Sequence, residues 1–221
     1  MMVSTRAARP EGGVLRPRVF LLSPANAGGE RARMVLGDRA EFDLAVRLRE
    51  GSAQLGEVFA FISGLYFRGK LAYSAAFAAP PAGVPASLVI TSGAGLVPPD
   101  ARVGIEQLRR IASVPIDAAD PRYREPLERD ARLLEAALGR DGDVVLLGSI
   151  ATTKYLEPLL AIFGERLLFP PDFAGRGDLS RGGLMLRCVR AGKELPYAPV
   201  LGAALHGPRP PRLPRIKRKP T

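Results

Sequence analysis

The sequence predicts one α/β domain, with a mostly parallel sheet covered by helices on both faces, flanked by disordered basic arms. Short apolar runs alternate along the chain with segments of helical periodicity, which is the pattern of a parallel sheet. Apolar residues make up 47% of 221 residues, enough for one substantial core. The N-terminal end is rich in Arg, Pro and Gly, the C-terminal end is rich in Pro and Arg, and both contain too few apolar residues to fold alone. We therefore expect an N-terminal arm at 1–18, a domain at 19–205 and a tail at 206–221.

Four short apolar or β-branched segments predict strands. They span residues 19–22, 87–91, 143–148 and 166–169. The third is the clearest, because it is short, β-branched and entered from the turn-like sequence GRDGD. Residues 183–189 are apolar and fit either a strand or a helix.

Seven segments have apolar residues at helical spacing and predict helices. They span residues 30–36, 41–49, 56–62, 69–79, 105–111, 121–138 and 153–163. Gly51 is expected to end the second of these helices, and Pro158 is expected in the first turn of the last one.

Most of the net charge of +10 lies in the two arms. Residues 206–221 hold six basic residues and no acidic one, and residues 1–18 hold four basic residues and one acidic residue, so the domain between them is nearly neutral. Mobile Lys and Arg neutralise phosphates, which favours nucleic acid as the partner. A solubilising or targeting extension is the alternative. The tail residues expected at phosphates are Arg215, Lys217, Arg218 and Lys219.

Several classes of function are disfavoured by composition. No apolar run approaches the roughly 20 residues that span a bilayer, and residues 1–18 do not resemble a signal peptide, so we expect a cytoplasmic protein without a membrane partner. A single cysteine, Cys188, excludes an intrachain disulfide and a thiolate cluster, and a single histidine, His206, excludes sites that need two. Cys188 is expected to be a buried structural thiol.

We predict no cofactor and no metal. The carboxylates of Asp100, Asp172 and Asp178 are of the type that binds Mg²⁺, but their spacing matches no known acidic ligand pattern. The sequence leaves the oligomeric state open.

Glycine-rich polar loops follow three of the predicted strands: SPANAGG at 23–29, SGAGL at 92–96 and SIATTK at 149–154. The carboxyl ends of parallel strands meet at one edge of the sheet, so these loops predict a pocket for a phosphate, a nucleotide or a nucleobase. Neither a Walker loop nor a GxGxxG motif is present. Ordinary strand-to-helix turns are the alternative. The candidate residues from these loops are Ser23, Asn26, Ser92, Ser149 and Lys154.

The densest polar segment is 169–187, where charged and hydroxyl side chains are interleaved with glycines. Two closely spaced arginines offer forked donors for phosphate, and one carboxylate can orient an arginine or activate water. The alternative is a surface loop in which Asp178 caps the next helix and pairs with the arginines. The candidates from this segment are Arg176, Asp178, Ser180, Arg181 and Arg187.

A second basic and aromatic cluster lies at 64–73, GLYFRGKLAY. Tyr66 and Tyr73 are placed to stack on bases while Arg68 and Lys70 reach phosphates. We favour the alternative, in which the rings pack in the core and the charged groups extend to solvent.

Several of these segments resemble the YaaA peroxide-stress proteins and the wider set of YaaA-like domains. VFLLSPAN looks like that family's opening ISPAKT, SGLYFRGKLAY resembles its GxxYTG-type stretch, and DLSRGGLMLRCV is similar to its KKARGLMxR segment. The segments follow one another in the family's order over residues 19–189. Asn26 stands where the family's opening has lysine, and the residues from Asp178 to Ser180 replace its double lysine.

The resemblance implies an α/β domain that binds DNA and is linked to DNA damage or oxidative stress. The plan of a polar first loop and a late basic loop is also similar, more distantly, to the uracil-DNA glycosylase superfamily. That similarity implies that Asn26 positions water, that Asp178 stabilises a developing sugar cation, and that phosphates are held by Arg176, Arg181 and Lys154.

We therefore expect a DNA-binding enzyme that cleaves the N-glycosidic bond of a modified or damaged base. A non-catalytic DNA-binding oxidative-stress protein and a small nucleotide- or nucleoside-processing enzyme are the alternatives. The sequence does not separate DNA from RNA as the preferred nucleic acid.

Overall fold

The computed structural model describes residues 16–151, 153–203, 210, 211 and 213. These residues form an α/β fold, as predicted. The strands are β1 (Arg18–Leu22), β2 (Ala53–Gln54), β3 (Ser87–Ile90), β4 (Leu96–Val97), β5 (Arg102–Val103), β6 (Asp143–Leu147), β7 (Leu167–Phe169) and β8 (Ala198–Pro199). The α-helices are α1 (Glu30–Leu36), α2 (Asp43–Arg49), α3 (Leu55–Ser63), α4 (Leu65–Phe77), α5 (Ile105–Ser113), α6 (Pro121–Leu138), α7 (Thr153–Phe163) and α8 (Asp178–Ala191).

The main sheet has the strand order β4-β3-β1-β6-β7-β8. Its four central strands, β3, β1, β6 and β7, are parallel, while β4 and β8 are antiparallel strands at the two edges. In the central register, Leu22 of β1 lies beside Val89 on one side and Leu147 on the other. Strands β2 and β5 form a separate antiparallel pair.

Helices cover both faces of this sheet. Successive side chains of a strand point to opposite faces, so Phe20 and Leu22 pack with residues of α1 to α5 and α8, whereas Val19 and Leu21 pack with residues of α6 and α7. Apolar burial on both faces is the dominant stabilising contribution, and it explains why β1 and β6 read as continuous apolar runs. Among the described residues, no helix combines the length and apolar character needed to cross a membrane.

The structure confirms the predicted elements, with shifted boundaries, one open alternative decided and two corrections. Residues 183–189 lie inside α8, which settles the strand-or-helix alternative as helix. Pro158 lies in the interior of α7 and not in its first turn, because the helix begins five residues before it. Helix α4 begins at Leu65, four residues before the predicted start, because Gly64 at φ +60° ends α3 and opens α4 directly. The two-residue strands were not predicted, since two residues show no periodicity.

Helices α4 and α8 pack unusually closely, and two glycines permit it. A Cβ atom on Gly182 would lie 2.7 Å from the carbonyl oxygen of Leu65 and 2.8 Å from the Cα of Tyr66. A Cβ on Gly69 would lie 2.9 Å from the carbonyl oxygen of Gly182. These atoms belong to the backbone and cannot rotate away, so any larger residue must push the helices apart.

We predict that Gly182→Ala destabilises the protein by about 1–3 kcal/mol, because the added methyl group overpacks a backbone contact. Gly183→Ala is the matched control in the same helix. A Cβ there would meet Leu213 at an ordinary 3.6 Å, and alanine is the better helix former by about 1 kcal/mol. Chemical denaturation measures both variants, and equal stability of the two would contradict the proposed packing.

Candidate active site at the carboxyl edge of the sheet

The loops after the four parallel strands lie at the same edge of the sheet. The chain runs from β1 to β3 on one side, and β6 lies on the other side of β1. The strand order therefore reverses between β1 and β6, and in open α/β sheets ligands bind outside the carboxyl ends of strands at such a reversal. Ser23 follows β1 and Gly148 follows β6 at this position.

A buried lysine contacts the end of β1. The Lys70 ammonium group of α4 donates hydrogen bonds to the Ser23 carbonyl oxygen at 2.9 Å and to the Ser23 Oγ at 2.7 Å. Its Nζ also lies 4.0 Å from the centroid of the Tyr66 ring, a cation–π contact. Lys70 is only 1% exposed. Burial lowers its pKa to about 7, with Asp178 opposing and Arg181 adding to that shift.

Gly148 allows β6 to approach Ser23. A Cβ atom at position 148 would lie 2.8 Å from the Ser23 Cβ and 3.1 Å from the Tyr155 hydroxyl oxygen. The Tyr155 hydroxyl donates to the carbonyl of Ser149 at 2.6 Å, which ties α7 to the loop after β6. Gly148, which accepts no side chain, thus brings together Ser23, Ser149 and Tyr155.

Tyr66 contributes a second buried hydroxyl. Its side chain is 6% exposed, and burial raises its pKa to about 12, so it remains a neutral phenol. The hydroxyl lies near Arg181 and Ser23, yet it completes no hydrogen bond with the described residues. A buried polar group of this kind is costly unless it is satisfied by water or a ligand.

The first turn of α8 brings both signs of charge to this edge. The Arg181 guanidinium donates from Nε to the carbonyl of Phe173 at 3.1 Å and lies 3.6 Å from the Asp178 carboxylate. Its side chain is 12% exposed, whereas that of Asp178 is 70% exposed. Asp178 thus pairs with Arg181 as the alternative interpretation expected. It does not cap α8, because Gly177 is the N-cap residue and Asp178 is already the first residue of the helix. Arg176 instead donates to the carbonyl of Asp172 at 2.9 Å and to the Ser180 Oγ at 3.3 Å.

The other predicted site residues differ in exposure. Asn26 is exposed, and its Oδ1 accepts a hydrogen bond from the Gly28 amide at 3.2 Å. The buried Ser92 hydroxyl donates to the carbonyl of Ile111 at 2.6 Å and so anchors α5. Arg68 and Lys154 are exposed. Arg187 lies farther along α8. Four predicted tail residues fall outside the described residues: Arg215, Lys217, Arg218 and Lys219.

The sequence predicted Ser23 and Lys70 in two different sites, and it did not indicate Gly148 or Tyr155. A local signal was present, because residues 66 and 70 are four apart and therefore share one face of a helix. The structure buries that face, so Tyr66 and Tyr73 are core residues and Lys70 does not extend to solvent. Nothing local indicates that the Lys70 side chain reaches a residue 47 positions earlier in the chain.

No family model, no curated protein and no solved structure matches this chain. Within the described ranges, no three or more His, Cys, Asp or Glu side chains are grouped so as to hold a metal ion.

We predict that the free energy of unfolding rises with pH through the titration of Lys70. Below pH about 7 both the folded and the unfolded chain hold this proton, and the buried charge destabilises the fold. Between pH about 7 and the ordinary lysine pKa of 10.5 the unfolded chain holds more protons than the folded one. The free energy of unfolding then increases by at most about 1.4 kcal/mol per pH unit.

Lys70→Met removes this titration while keeping a side chain of similar length. The difference in unfolding free energy between the wild type and Lys70→Met should therefore shift in favour of the wild type as pH rises from about 7 to about 10. Denaturant titrations across this range measure the difference. Parallel pH profiles for the two proteins would rule out a depressed lysine pKa.

Proposed function

We propose that this protein is a DNA-acting enzyme that cleaves the N-glycosidic bond of a modified or damaged base. The observation that carries the proposal is the contact of the buried Lys70 ammonium with Ser23, at the edge where open α/β sheets bind their ligands. Burying a lysine costs free energy that a purely structural residue would avoid, and such perturbed groups cluster at functional sites.

The charges around Ser23 suit the proposed reaction. Breaking the bond between C1′ of the sugar and a base nitrogen leaves the electron pair on the base and a positive charge on the sugar. Lys70 and Arg181 are cations that stabilise the departing base. The exposed carboxylate of Asp178 is the group that would face the sugar cation.

The first loop supplies a group for the attacking water. Asn26 is exposed at this edge, and its Oδ1 already accepts one hydrogen bond from Gly28. An amide oxygen accepts two hydrogen bonds, so Asn26 retains capacity to orient a water. In this proposal the turn that engages Asn26 also fixes the direction of its amide group.

Phosphate contacts are assigned to basic residues outside the catalytic cluster. Arg68 and Lys154 are exposed, and Arg176 lies at the turn before α8. The tail adds six basic residues. A charge distribution confined mainly to the arms equally favours the second candidate, a DNA-binding protein without catalysis. The nearly neutral domain favours the third, an enzyme acting on free nucleosides or nucleotides.

We predict that the purified protein releases free base from DNA carrying uracil, alkylated, oxidised or hypermodified bases, measured by mass spectrometry. Asp178→Asn should slow this release by about tenfold or more, since the amide no longer offsets the sugar cation. Asp172→Asn is the matched control, because Asp172 is also an exposed carboxylate near the start of α8, and it should leave release unchanged.

Two outcomes of this experiment would favour the alternative functions. Salt-dependent DNA binding without base release would leave the non-catalytic DNA-binding protein. Release from free nucleosides but not from DNA would leave the small-molecule enzyme.

Deletion of residues 206–221 tests DNA binding separately from base release. Each phosphate contact contributes about 0.9 to the slope of log affinity against log salt, so losing six basic residues should reduce the slope by up to about five. Fluorescence anisotropy with labelled duplex DNA measures this slope. A tail of equal length with its Lys and Arg replaced by Ser serves as the control for chain length, and an unchanged slope in both variants would exclude the tail as a DNA contact.

A further inference from the structure

Ser23 is the first residue after β1 and accepts hydrogen bonds from a fully buried cation. Lys70 is 1% exposed and Ser23 is 6% exposed, so both are buried at the carboxyl edge of the sheet. The short distance of 2.7 Å from Nζ to Oγ shows that the ammonium group donates to the hydroxyl oxygen. The hydroxyl proton of Ser23 then points away from Lys70, since the oxygen already accepts on that side.

The two hydrogen bonds of Lys70 have different consequences. The contact to the Ser23 carbonyl ties α4 to the end of β1. The contact to Oγ helps to satisfy the buried ammonium group. It also places a proton donor with a pKa near neutrality directly behind a hydroxyl group, which is the arrangement of general acid catalysis.

We propose that Ser23 and Lys70 form a proton relay that protonates the departing base. This inference rests on the proposed N-glycosidic cleavage. Ser23 is the catalytic residue that touches the base, and Lys70 acts through it as a positioning and proton-supplying residue.

The proposed cleavage breaks one bond and conserves atoms and charge. The bond between C1′ and the base nitrogen breaks, and its electron pair goes to the base. The base takes the Ser23 hydroxyl proton while Ser23 takes a proton from Lys70, which leaves a neutral amine. Water adds to C1′ and gives up one proton to solvent, and the Lys70 amine regains one from solvent.

The charged and titratable groups facing the relay come from three helices. Asp178 and Arg181 of α8 act on Lys70 with opposite sign. Tyr66 of α4 lies over the ammonium group, and the Tyr155 hydroxyl of α7 lies beside Gly148 and Ser23. Both phenols have raised pKa values and stay neutral, whereas burial lowers the pKa of Lys70 to about 7.

The test compares two DNA duplexes whose target base carries either hydrogen or an electron-withdrawing fluorine. Fluorine makes the base a better leaving group that needs less protonation. The wild type should release both at similar rates. Ser23→Ala and Lys70→Met should slow the unsubstituted base by about 100-fold, the size of a general acid contribution, and should affect the fluorinated base much less. Lys193→Met, at an exposed lysine outside the site, is the control and should behave as wild type.

The pH profile gives an independent readout. Release of the unsubstituted base by the wild type should fall as pH rises above about 7, because the relay needs protonated Lys70, and Ser23→Ala should lose this dependence. Equal slowing of both substrates, or full activity of a folded Ser23→Ala, would overturn the relay while leaving the proposed function in place. Absence of base release by the wild type would overturn both.

Discussion

The arrangement of the carboxyl edge of the main sheet depends on one buried ammonium group. Lys70 comes from the middle of α4 and ends on the carbonyl and hydroxyl of Ser23, the first residue after the central strand β1. Removing a charge from water is tolerated only when hydrogen bonds and aromatic contacts replace the lost hydration. Ser23 and the ring of Tyr66 supply these contacts. The position of the first loop and the depressed pKa of Lys70 are therefore consequences of the same burial.

Close helix packing places the remaining groups around that ammonium. Gly69 and Gly182 let α8 lie against α4 at a distance that a single Cβ would prevent. The first turn of α8 thereby carries Asp178 and Arg181 to the side of α4 that holds Tyr66 and Lys70. Gly148 likewise allows the end of β6 to approach Ser23 closely. The chemical groups of the site come from residues far apart in sequence, and glycines set their spacing.

Much of the fold could be predicted from sequence, because apolar runs such as VVLL and helical spacing such as that of 121–138 are local signals. The site could be predicted only in part. Ser23, Asp178 and Arg181 were candidates by residue type and loop position, and Tyr66 and Lys70 were candidates as members of a basic and aromatic cluster. The pairing of Lys70 with Ser23 could not be predicted, because it depends on how deeply α4 is buried between the sheet and α8. The favoured interpretation of 64–73 placed the rings in the core and the charged groups in solvent. The structure agrees for the rings and for Arg68 but buries Lys70.

The most direct test of this account is a nuclear magnetic resonance titration of protein labelled at lysine Cε. The chain has five lysines: Lys70, Lys154, Lys193, Lys217 and Lys219. One signal should titrate near pH 7 and be missing in Lys70→Met. Five signals that all titrate near the ordinary lysine pKa would contradict a buried ammonium at the end of β1, and with it the site built around Ser23.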